Sequence, residues 1–201
     1  RKIANKVFGI SDTPTDCVMM ALNHVMKDKR PTLVLSGVNR GINLGDDVTY
    51  SGTVAGAMEG TLAGVPSIAV SQQRLENSRK GDWDVVETHA PDVIRKLVQA
   101  DWSEDVFLNV NFPAMDASAV KGIRVTRQGR RDLNELKVDE FTDPRGYPYF
   151  WFGLTRSFDD SIENSDLQAV REGYISVTPC HLDLTHQETL KRLDAVLGEE
   201  F

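Results

Sequence analysis

The run from Thr32 to Ser71, TLVLSGVNRGINLGDDVTYSGTVAGAMEGTLAGVPSIAVS, reads as strand, loop, helix and strand. Thr32 to Leu35 is a short apolar strand, and Ser36 to Tyr50 is a loop rich in glycine and asparagine. A helix opens at Ser51-Gly52-Thr53 and carries Val54, Ala55, Ala57, Met58 and Leu62. Gly64 suits its C-terminal end, Pro66 follows, and Ser67 to Ser71 is the next strand. Short apolar strands joined through a helix imply parallel βαβ units.

The flanks continue the alternation. Upstream, a short strand at Val7 to Ile10 runs into Thr13, a helix cap, with Pro14 in the first turn and Asp16 near the positive helix end. Val18, Ala21, Leu22, Val25 and Met26 then recur at the spacing of one buried helix face, and Pro31 stops the helix. Downstream, a polar connector from Gln72 to Asp82 precedes a helix with Ala90, Val93, Ile94, Leu97 and Val98 on one side. Val106 to Phe112 and Gly122 to Thr126 are further strands. The expectation is an α/β fold, Rossmann-like, with a mainly parallel sheet.

The rhythm breaks after residue 130. Asp143-Pro144-Arg145-Gly146 is a turn signal, and Tyr147 to Phe158 is dense in aromatics, which reads as a hairpin arm. An acidic stretch follows from Asp159 to Asp166, then a strand from Tyr174 to Thr178. The last helix is read from Thr185, with Glu188 completing a capping box and Leu190, Leu193 and Leu197 on one side. The division expected is a core over 1–130 and an arm with a C-terminal segment over 131–201.

Composition narrows the function. A formal net charge of -7 and a pI near 5.1 speak against a grip on duplex nucleic acid, which needs basic surface, but leave room for one local phosphate site. No apolar run is long enough to span a bilayer, and no apolar stretch follows the basic Arg1 to Val7 as a secretory signal would require. Cys17 and Cys180 make no disulfide framework; a single disulfide is one reading, two buried thiols in a reducing compartment the favoured one, so the expected location is cytoplasmic.

The chemistry is concentrated between Ser36 and Thr53. That loop leaves the carboxyl end of a parallel strand, where open α/β sheets bind ligands. Asn39 and Asn43 offer carboxamide oxygens suited to a hard divalent cation and N–H groups suited to phosphate. Ser51-Gly52-Thr53 opens a helix, so its free amides and two hydroxyls form an anion cradle. A cation ligand beside a phosphate seat is the layout of phosphoryl-group hydrolysis. No Gly-Lys-Ser/Thr follows, so this is not a Walker loop. Each residue also has a plainer reading: Ser51 or Thr53 as a cap, Asn39 and Asn43 as turn formers, Arg40, Asp46 and Asp47 as solvated charges. His24, His89, His181 and His186 read as structural or solvated.

Taken together, Ser36 to Gly60 closely resembles the SurE family. Thr13-Pro14-Thr15-Asp16-Cys17, Pro66 to Ala69, Leu108 to Pro113, Val125 to Gln128, Gly173 to Pro179 and Asp183-Leu184-Thr185 follow in that family's order. The resemblance spans essentially the whole chain. It implies a three-layer SurE fold with a β-hairpin arm used in oligomerisation and a C-terminal segment swapped between subunits of a homodimer or homotetramer. It implies a phosphatase for nucleoside 5′- or 3′-monophosphates that depends on Mn²⁺ or Mg²⁺. Asn39 matches a metal ligand, and Asn43, Ser51, Gly52 and Thr53 match the phosphate side. The family's other metal ligands, two adjacent aspartates and a serine, are expected in a βαβ element upstream of Arg1. Asp12 stands where the family usually has glycine. The alternative expectation is a nucleotide- or phosphate-binding fragment without turnover, because the acidic pair is not in this sequence.

Overall fold

A computed structural model of the chain describes residues 1–74, 83–130, 136–154 and 162–198. Five strands form the central sheet in the order β3 (Val34–Arg40), β4 (Ser67–Gln72), β5 (Val106–Phe112), β9 (Ile175–His181) and β6 (Ile123–Val125). All neighbours pair in parallel except β5 with β9. The expected parallel α/β architecture is thus present, with one antiparallel step. β1 (Lys2–Ala4) and β2 (Val7–Phe8) form a small hairpin turning at Lys6, whose first strand the sequence did not signal.

The two faces of the sheet differ in chemistry because strand side chains alternate. Ile68 and Val70 of β4, Leu108, Val110 and Phe112 of β5, and Ile175 and Val177 of β9 join one buried cluster. That cluster receives Val85, Val86 and Val93 of α3 (Asp84–Gln99). Helix α3 begins earlier than its Ala90 to Val98 stripe indicates, and Val98 is exposed. On the opposite face Ala69 and Phe107 meet Val54 and Ala57 of α2 (Gly52–Leu62). Small residues let α2 lie close: Gly56 faces Ser36, and Gly60 faces Ser67 and Val34.

Helix α1 (Pro14–Met20) begins as expected, with Thr13 and Asp16 in a capping box and proline in the first turn. It then continues as a π-helical turn over Ala21–Val25. Its apolar stripe is not the buried face that spacing predicts: Leu22 is buried, whereas Val25 and Met26 are exposed. Among the described residues, β3 is an edge strand, and Leu35 and Val38 lie open on it.

The residues after 130 divide in two. β7 (Leu136–Thr142) and β8 (Pro148–Leu154) pair as the expected hairpin, closed by the Asp143 turn. Asp143 Oδ1 accepts from the Arg145 and Tyr147 amides. The rest of the aromatic stretch, from Thr155 to Phe158, lies outside the described residues. Beyond it the chain returns to the core as α4 (Asp166–Arg171) and β9. The final helix α5 spans Gln187–Leu197 and is capped by His186, which accepts from the Thr189 amide, not by Thr185. Thr185 instead donates its amide to Asp183 Oδ1. None of α5's residues is buried. Cys17 and Cys180 are free thiols, half-buried rather than buried.

Candidate active site

The strand expected to end at Leu35 runs on through Arg40, with a break in register between Ser36 and Asn39. Gly37 sits in that break, in the left-handed region, and a side chain there would collide with the Val70 carbonyl. Asn39 is carried beside Ser71 at the carboxyl end of the sheet. Its carboxamide nitrogen donates to the Gly41 carbonyl at 3.0 Å, closing the turn that leaves the strand. The side-chain oxygen remains as the atom suited to a cation.

Asn43 is 7% exposed and turned inward. Its amide N–H donates to Asn111 Oδ1 at 2.8 Å, and its side-chain nitrogen donates to Ser71 Oγ at 2.6 Å. Its carbonyl accepts from Asn109 Nδ2 at 2.8 Å and from Asn111 Nδ2 at 3.1 Å. The structure therefore separates the two loop asparagines: Asn39 stands at the half-buried rim, while Asn43 is the node where loop meets sheet. Asn109 and Asn111 do this work from an otherwise apolar strand, LNVNF. That alternation is the sequence signal which reading the strand only for hydrophobicity passes over. Asn109 Oδ1 is buried and has no hydrogen-bond partner among the described residues.

The loop then continues as a 3₁₀ turn over Gly45–Tyr50, where a plain loop is expected from sequence. Leu44 is buried against Leu167 and Val170. Gly45 is left-handed at φ +54, and both its peptide groups are held. Its N–H donates to Asp166 Oδ2 at 2.9 Å, and its carbonyl accepts from Gln128 Nε2 at 3.0 Å. Asp166, the last residue of the acidic stretch read from Asp159, is fully buried at 0% exposure.

The loop ends by delivering α2. Ser51 caps that helix, its hydroxyl accepting from the Val54 amide at 3.1 Å, while the Ser51 carbonyl accepts from Ala55. The amides of Gly52 and Thr53 have no partner within the helix, as first-turn geometry requires. Ser51 and Thr53 are half-buried and Gly52 is exposed, so this helix end is open to a ligand. Gly52 lies near the Pro14 ring, which brings the start of α1 beside it. On the other flank of α2, Ser51, Met58, Phe107, Cys180 and His181 line a cleft of about 470 Å³. Burial and the nearby Asp166 charge push the Cys180 thiol up to about 12.

For a divalent cation the fit is incomplete. Among the described residues no group of three His, Cys, Asp or Glu side chains comes together. Asn39 contributes one neutral oxygen, and magnesium needs a fuller oxygen shell. The four histidines do not gather: His89 Nε2 bonds the Ala117 carbonyl, His186 caps α5, and His181 lies 3.6 Å from Asp105.

Comparison with known proteins agrees with this architecture. Residues 2–135 match the family described as Survival protein SurE. A protein of Parvibaculum lavamentivorans named 5′-nucleotidase SurE is 48% identical over 199 residues, covering 98% of this chain and 72% of its own. The Caulobacter vibrioides protein of the same name is 50% identical over 200 residues, covering 98% and 76%. The crystal structure of SurE protein from Aquifex aeolicus superposes with a TM-score of 0.80 at 40% identity, covering 98% of this chain and 78% of that one.

Proposed function

The chain belongs to the SurE family, and from that membership we propose how it acts: it is a nucleotidase that hydrolyses nucleoside 5′- or 3′-monophosphates, with the phosphate seated at the N-terminus of α2. One observation carries the placement. The loop from Asn39 to Tyr50, pinned at Asn43 and Gly45, presents the amides of Gly52 and Thr53, without a partner among the described residues, beside two hydroxyls at the carboxyl side of the sheet.

In hydrolysis a water oxygen bonds to phosphorus, the P–O ester bond breaks, and the nucleoside hydroxyl leaves with a proton. Negative charge shifts among the phosphoryl oxygens as this happens. Fixed N–H donors and a helix dipole aimed there stabilise that charge without having to reorganise. Ser51, Gly52 and Thr53 are assigned this task. Asn43, facing inward, positions them.

The family resemblance adds a divalent ion, Mn²⁺ or Mg²⁺, with Asn39 as one ligand. The described residues do not complete its shell. The test is phosphate release from nucleoside monophosphates, with and without a chelator. Release that stops with chelator and returns with Mn²⁺ supports the reading. Nucleotide binding without release under any metal supports a binding module instead.

Assembly into a homodimer or homotetramer is part of the proposal. Tyr147, Phe150, Trp151 and Phe152 are exposed along the hairpin, and Leu190, Leu193 and Leu197 are exposed on α5. Apolar surface of that extent on two projecting elements is what subunit interfaces cover. No helix among the described residues is long and apolar enough to cross a membrane.

A further inference from the structure

Asp166 is a fully buried carboxylate to which no catalytic task falls. Its oxygens are occupied by main-chain amides from three separate segments. Oδ2 accepts from Gly45 at 2.9 Å, and Oδ1 accepts from Gly129 at 2.9 Å and Leu167 at 2.8 Å. Its own amide donates to the Arg127 carbonyl at 2.9 Å, and Gln128 between these partners reaches the Gly45 carbonyl. The Asp166 carboxylate, the Gln128 carboxamide and the Gly129 main chain thus close around one left-handed residue.

The space is fitted to this arrangement. A side chain on Gly45 would stand 3.3 Å from the Gly129 carbonyl, and one on Gly129 would stand 3.0 Å from Asp166 Oδ1 and 2.7 Å from Leu167 Cδ1. Burying an ionised carboxylate is costly, and a cap for the six-residue α4 does not require it, since Ser165 already caps that helix by accepting from Gln168. What Asp166 adds is a tie between α4, the strand-exit segment 127–129 and the turn six residues before Ser51.

We propose that Asp166 is a positioning residue, whose grip on the Gly45 and Gly129 amides sets where the Ser51–Thr53 helix start stands relative to Asn39. The catalytic consequence rests on the phosphate seat proposed above. The physical consequence, a fixed 43–51 turn, stands without it. An asparagine at 166 keeps the shape but turns one acceptor oxygen into an NH₂ that faces an N–H donor, so one tie is lost and a repulsion replaces it.

The experiment uses Asp166→Asn in the intact protein, with Val93→Ala on the far side of the sheet as a control of similar destabilisation. Amide hydrogen exchange over 43–51 is expected to rise about tenfold or more beyond any rise over 106–112 in Asp166→Asn, and to rise no more than that over 106–112 in the control. Turnover of a nucleoside monophosphate is expected to fall about tenfold to a hundredfold in kcat, with KM within about threefold, and inhibition by inorganic phosphate to weaken. Unchanged exchange at 43–51 overturns the proposal, as does faster exchange with unaltered kcat and phosphate inhibition. If Asp166→Asn does not fold, Gly129→Ala pushes on the same carboxylate and is read the same way. If the unmutated protein releases no phosphate, the functional reading fails, while exchange still decides whether Asp166 holds the turn.

Discussion

Asn111 holds the main chain of Asn43 as a neighbouring strand would: its Oδ1 accepts from the Asn43 N–H at 2.8 Å, and its Nδ2 donates to the Asn43 carbonyl at 3.1 Å. One buried side chain thereby replaces a backbone partner for a loop that leaves the sheet. Asn111→Ala strands the Asn43 N–H in a dry environment. Urea denaturation should show a loss of about 1–3 kcal/mol. A loss below a few tenths would mean that water takes the place of the carboxamide.

Gly60 faces Ser67 and Val34 across the α2–sheet contact, with an added methyl standing 3.0 Å from Val34 Cβ and running into Ser67 Oγ. Gly60→Ala should therefore destabilise the fold by about 1–3 kcal/mol, although alanine is the better helix former. A rise in Tm would show that the helix can back away from β3 without cost.

Burial pushes the Asp166 carboxyl above the usual carboxylate range, against the amides of Gly45, Gly129, Leu167 and Asp166 itself, which pull it down. Below about 3.9 both folded and unfolded chains hold the proton and burial exacts no electrostatic penalty. As pH rises, the unfolded chain releases its proton first, so stability declines until the folded carboxyl ionises too. The advantage of the unmutated protein over Asp166→Asn should accordingly shrink as pH rises through the raised value, measured by urea midpoints across pH 4 to 7.5. An advantage that grows with pH would mean that the amides outweigh burial.

Cys180 lines a cleft yet is held as the thiol, pushed up to about 12 by burial and the Asp166 charge. Because the thiolate is the nucleophile, iodoacetamide at pH 8 should modify Cys180 in a Cys17→Ser background at least about a hundredfold more slowly in the native state than in urea. Comparable rates would show the half-buried thiol to be as reactive as in the unfolded chain.

Much of this arrangement is legible in the sequence. Thr13 and Asp16 announce a capped helix, Val106 to Phe112 a buried strand, and the Ser36 to Thr53 composition a turn-rich connection from a strand end into α2. The parts that stay hidden depend on neighbours distant along the chain. Asp166 looks like the end of a charged run until Gly45, 121 residues away, is folded onto it. Val25 and Met26 keep helical spacing while lying exposed, because periodicity reports which face is apolar and not whether anything covers it. The cap of α5 falls one residue late because a histidine nitrogen accepts from the helix amide as well as a threonine hydroxyl would.

The claim on which the mechanism turns is that the first turn of α2 seats the phosphoryl group. Thr53→Val removes one hydroxyl from that turn without touching the Ser51 cap or the Asn43 network. Phosphate release from a nucleoside 5′-monophosphate should fall about a hundredfold in kcat/KM, with inorganic phosphate a weaker inhibitor and thermal stability little altered. Full turnover by this variant, with phosphate inhibition intact, would place the seat elsewhere.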